Sequence, residues 1–107
     1  MARPTYGYVA RRAYSHEGAG LVLTEDEAKV VAAGWVGQFY CRELYRWVCG
    51  VTAIDPKTLV SEAHKLLDDL ALHRDDWPHT GQAEPSIAAA SALVRYLEAL
   101  QDKGLRE

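Results

Sequence analysis

The residues best suited to chemistry gather past the middle of the 107-residue chain, where Glu62, His64, Asp68, Asp69, His73, Asp75, Asp76 and His79 crowd one stretch. An imidazole and a carboxylate one helical turn apart can grip a divalent ion or exchange a proton. His64 with Asp68, and Asp69 with His73, have that spacing. The two pairs lie roughly 100° or more apart around a helix and cannot hold the same ion. A closed metal shell would need His79 or a second helix, and no HExxH or cysteine-rich spacing accompanies the cluster. The reading adopted is a solvated helix face with ordinary His–Asp pairs. A small metal-binding protein or metal-dependent enzyme built on His64, Asp68, His73, Asp76 and His79 is the alternative.

Nucleophilic chemistry finds less support. Ser15, Ser61, Ser86 and Ser91 stand in no nucleophile-elbow context, and Gly18-Ala19-Gly20 lacks the following Gly-Lys-Ser/Thr of a phosphate-cradling loop. Cys41 and Cys49, the only thiols, would lie about 12 Å apart along one helix, beyond the roughly 7 Å that a disulfide spans between Cα atoms. They read as small buried side chains in a reducing compartment. The expectation is a protein that is not an enzyme and holds no cofactor and no resident metal.

Charge and aromatic placement say more. Residues 1–23 carry a formal charge of +2 and residues 24–107 a charge of −5, giving −3 for the chain. The basic lead-in is rich in tyrosine, and Arg with Tyr offers planar, amphipathic contacts at modest entropic cost. It can dock on its own acidic body or reach an external partner. The residues expected to meet a partner are Arg3, Tyr6, Tyr8, Arg11, Arg12 and Tyr14, with Trp35, Arg42 and Arg46 as a second set. Direct nucleic-acid binding is not expected, because three arginines are few, the total charge is negative and no recognised nucleic-acid motif appears.

These residues need elements to position them. Thr24-Glu25-Asp26-Glu27 is a capping box, since Thr24 can accept from the Glu27 amide while the Glu27 carboxylate reaches back. The apolar pattern that follows predicts one long helix over about 24–49, ended by Gly50, with an apolar arc wider than a surface helix needs. Gly34 and Gly37 inside it each cost about 1 kcal/mol relative to Ala and mark close packing or a kink. Asp55-Pro56 opens a second helix over about 56–75, with Leu59, Val60, Ala63, Leu66, Leu67, Leu70 and Ala71 on its buried face. Trp77-Pro78-His79-Thr80-Gly81-Gln82 reads as a loop whose Trp77 folds back on the core. Glu84-Pro85-Ser86 opens a third helix over about 85–103, thin at Ala88, Ala89, Ala90 and Ala92 and closed by Gly104. Residues 1–23 fit both helical and alternating patterns around Tyr6, Tyr8 and Ala10, and the sequence leaves the choice open.

Trp35-Val36-Gly37, in an acidic helical chain of about this length, resembles the Trp-X-Gly turn of the small helical-hairpin substrates of type VII secretion. In that family the turn joins two long helices, whereas here an apolar helical pattern runs through it. The likeness covers those three residues alone. The family's Tyr-x-x-x-Asp/Glu signal has no counterpart, since Tyr96 is followed by Leu100 and Tyr40 by Leu44 at the fourth position. No family is assigned on it.

With 49% apolar and 25% charged residues, the chain reads as a single all-α domain, a three-helix bundle with one long central helix and an N-terminal arm. Its longest charge-free run, Val30 to Cys41, is too short to span a membrane, and no signal peptide is visible, so a soluble cytoplasmic protein is expected. The expected function is protein–protein interaction. The chain would act as an adaptor or inhibitor occupying the surface of another protein or macromolecular complex, in the style of phage and mobile-element inhibitors by analogy, or would form a homodimer through the surplus apolar arc.

Overall fold

Thr24 begins a helix as its chemistry demands: its hydroxyl accepts from the Glu27 amide at 3.2 Å and the Glu27 carboxylate accepts from the Thr24 amide at 3.0 Å. Asp55 likewise accepts from the Lys57 amide at 3.0 Å, so the helix that starts at Pro56 satisfies a donor that proline cannot help with. The structure is a computed structural model that describes residues 5–15, 22–36, 41–72 and 80–105, the side chains of 80–83 and 104–105 aside. Its described residues form five helices and no strand: α1 (Tyr6–Ser15), α2 (Glu25–Trp35), α3 (Arg42–Val48), α4 (Pro56–Leu72) and α5 (Thr80–Leu105). The chain is all-α, and none of the described helices is long and apolar enough to cross a membrane.

The single helix expected over 24–49 is two helices. α2 stops at Trp35, and Cys41 takes a non-helical conformation (φ −128°, ψ 76°) before α3 begins. Gly34 stands one residue before the end of α2, and the close packing its presence signals is against the Tyr6 ring. The break lets each half turn its own apolar side inward: α2 buries Ala28, Val31, Ala32 and Trp35, and α3 buries Leu44 and Trp47. The surplus apolar arc is expected of an unbroken rod, which α2 and α3 do not form. Trp35 accordingly ends a helix and does not lie within one.

Among the described residues five helices replace the expected three-helix bundle, and the longest is not the expected 24–49 rod but α5. Its 26 residues pack against α4, α1 and α2, and its wide buried arc comprises Ser86, Ala88, Ala89, Ala90, Ala92, Leu93, Val94 and Leu97. The alanines supply the thinness that three neighbours require. α5 starts at Thr80, five residues ahead of the expected Pro85, so Pro85 sits inside the helix and forfeits one backbone bond. It also continues through Gly104, the expected stop, to Leu105. α4 is described to Leu72; of the expected loop, Trp77, Pro78 and His79 lie outside the described residues, while Thr80, Gly81 and Gln82 are helical, in the first turn of α5. Residues 6–15 settle the open choice as a helix, with Val9, Ala10 and Ala13 buried against the body.

Both cysteines are free thiols; Cys41 is buried as expected, while Cys49 is exposed. Burial, assisted by the negative charge of Glu62, pushes the Cys41 thiol above its ordinary value.

Candidate protein-binding surface

The N-terminal segment has two faces with different chemistry. On the inner face, the Tyr6 hydroxyl donates to Ser86 Oγ at 2.9 Å and accepts from Trp35 Nε1 at 2.6 Å, so one phenol joins α1, α2 and α5. The Tyr6 and Trp35 rings meet edge to face, with centroids 6.0 Å apart. The ring has room only because residue 34 is glycine: a Cβ there would stand 2.8 Å from Tyr6 Cδ2. Burial raises the ionisation of Tyr6 above its usual range, and the hydrogen bonds with Ser86 and Trp35 offset part of that rise.

Arg12 also turns inward, pairing with Glu27 at 2.5 Å, and Glu27 is buried at 6% exposure. One carboxylate thus completes the α2 capping box with one oxygen and anchors α1 with the other. Three residues expected to meet a partner, Tyr6, Arg12 and Trp35, therefore take part in contacts within the molecule.

The outer face of α1 carries the rest. Tyr8 is 54% and Tyr14 50% exposed, and Arg11, three residues from each, is exposed between them. The i, i+3 spacing puts the three on one side of the helix, opposite Val9, Ala10 and Ala13. Arg3 lies outside the described residues.

A second surface surrounds the start of α3. Arg42 and Arg46, one turn apart, flank the exposed Tyr45, and the three line a cleft of about 390 Å³ with Val36 and Cys41. Glu43 holds both guanidinium groups, with Arg46 Nη1 at 2.8 Å and Arg42 Nε at 3.9 Å, which partly neutralises the pair. The second set from the sequence is thereby divided: Arg42 and Arg46 share this cleft, and Trp35 belongs to the Tyr6 network.

Tyr45 and Glu62 escaped the sequence reading. Tyr45 falls within the expected 24–49 rod and carries no signal of its own there. Glu62 was counted with the acidic cluster, yet its carboxylate accepts the backbone amides of Glu43 at 3.1 Å and Leu44 at 2.9 Å. A cap supplied from another helix leaves no local sequence signal.

The His–Asp cluster is partly visible. His73, Asp76 and His79 lie outside the described residues, while the exposed His64 faces Glu98 of α5, Nε2 to Oε2 at 3.5 Å. Among the described residues no three His, Cys, Asp or Glu side chains are grouped as metal ligands. Comparison of the chain with protein-family models, curated proteins and solved structures gives no match.

Proposed function

We propose that this chain is a protein-binding module, an adaptor or inhibitor that works by occupying a surface of another protein or complex. The observation that carries the reading is the two-faced chemistry of α1. Its inner side is committed to the body through Tyr6, Val9, Ala10, Arg12 and Ala13, and its outer side holds Tyr8, Arg11 and Tyr14 toward solvent. Tyr and Arg are the types that dominate interface energetics, and a helix pinned from behind presents them with little ordering left to lose on binding. The cleft at Arg42, Tyr45 and Arg46 offers a second contact of the same composition.

The test is affinity purification from native lysate with the wild-type chain and with a Tyr8→Ala/Arg11→Glu/Tyr14→Ala variant, read by mass spectrometry beside light scattering of each pure protein. A specific protein retained by the wild type and lost by the variant, at unchanged helical circular dichroism, supports the reading. A concentration-dependent mass that falls in the variant identifies the partner as a second copy. Equal retention by both chains, or retention of nothing with a constant monomer mass, removes the α1 face from consideration.

A further inference from the structure

α3 differs from the other helices in how it is held. At seven residues it is the shortest of the described helices, furthest below the about 12–15 that even good helix formers need alone in water, a length α1 and α2 also miss. Its N-cap residue, Cys41, makes no side-chain capping bond. Its C-terminus is closed by Gly50 in the left-handed region (φ +100°), with the Gly50 amide bonded to the Trp47 carbonyl and the Val51 amide to the Arg46 carbonyl, both at 3.0 Å. It is held on the body by the buried Leu44 and Trp47, whose ring meets Lys29 and Tyr96, by the part-buried Val48, and by the Glu62 carboxylate on its first amides.

Glu62 itself stands on α4, a 17-residue helix packed along α5. The fixed partner therefore holds the short helix. We propose that α3 opens and closes as one unit ahead of the rest of the molecule, and that the Glu62 carboxylate is the latch that holds it shut. Opening would uncover Leu44, Trp47 and the buried Cys41, and would carry Arg42, Tyr45 and Arg46 out of the geometry that forms their cleft. The inference does not depend on the protein-binding reading, since local opening is a property of the isolated chain.

Amide hydrogen exchange of the full chain, resolved by NMR, tests it. The amides of Tyr45, Cys49, Gly50 and Val51 are each bonded within or just after α3, so they report its opening. They are expected to exchange at a common rate, faster than the amides of Leu93 and Leu97 in the middle of α5. Glu62→Gln, which keeps the side-chain shape and removes the charge, is expected to speed all four about ten-fold while leaving Leu93 and Leu97 unchanged. Exchange of α3 at the pace of α5 overturns the proposal. An unaltered rate in Glu62→Gln, or equal acceleration throughout the molecule, does so as well.

Discussion

Gly34→Ala sets two physical effects of opposite sign against each other. Replacing a helical glycine by alanine ordinarily stabilises a protein by about 1 kcal/mol through backbone entropy. Here the new methyl would meet Tyr6 at 2.8 Å from Cδ2 and 3.0 Å from Cε2, and both are ring atoms of one residue. The ring cannot simply step aside, because its hydroxyl is fixed to Trp35 Nε1 and Ser86 Oγ. Overpacking of this kind costs about 1–3 kcal/mol, and weakening either hydrogen bond adds up to about 1 kcal/mol more. The net expectation is destabilisation of about 1–2 kcal/mol. With a urea m value of about 1.5 kcal/mol/M for a domain of this size, the midpoint followed by circular dichroism falls by about 1 M. In a Tyr6→Ala background the obstacle is gone and the same substitution should stabilise by about 1 kcal/mol, a coupling of about 2–3 kcal/mol. A Gly34→Ala protein more stable than wild type, or the same sign in both backgrounds, would refute the account of the Tyr6 seat.

Two further outcomes follow from the same contacts. Glu27→Ala removes the return arm of the capping box and a charge-assisted hydrogen bond from Arg12, so urea unfolding should register a loss of about 2–3 kcal/mol. Glu25→Ala, which removes an exposed pair with Lys29, should cost under about 0.5 kcal/mol; equal losses would contradict the double role of Glu27. Alkaline titration provides the other. Burial raises the ionisation of Tyr6 above its ordinary value of 10.0, and burial with the charge of Glu25 raises that of Tyr96. The unfolded chain therefore releases these protons first, so the stability is complete below about pH 10 and declines as pH rises past it. Urea midpoints measured from pH 8 to 11 should fall less steeply in Tyr6→Phe than in wild type.

Local chemistry was legible in the sequence, and encounters between distant residues were not. Thr24-Glu27 and Asp55-Pro56 announce their helix starts because each cap is closed within three residues, and Gly50 ends α3 for the same local reason. The all-helical class follows from periodicity. The break before Cys41 was hidden because the apolar pattern continues in helical phase through it, and periodicity alone does not distinguish one helix from two that share a register. Pro85 misplaced the start of α5, since a proline inside the first turns costs one bond that packing outweighs. For the candidate surface, the residue types pointed to Tyr8, Arg11, Tyr14, Arg42 and Arg46, all placed outward. Tyr6, Arg12 and Trp35 are of the same types and look alike on paper. Only Ser86, Gly34 and Glu27, brought close by folding, distinguish them.

The alanine-built centre of α5 has a consequence for how this chain can change. Alanine has no rotamers to freeze, so assembling the middle costs little side-chain entropy. By the same token it offers nothing that could rearrange around an added methylene, and enlargement at Ala89 or Ala90, both at 0% exposure, would push neighbouring backbones apart. Variation is thereby steered to the skin of the molecule, where Tyr8, Arg11 and Tyr14 can be exchanged without disturbing the scaffold that displays them.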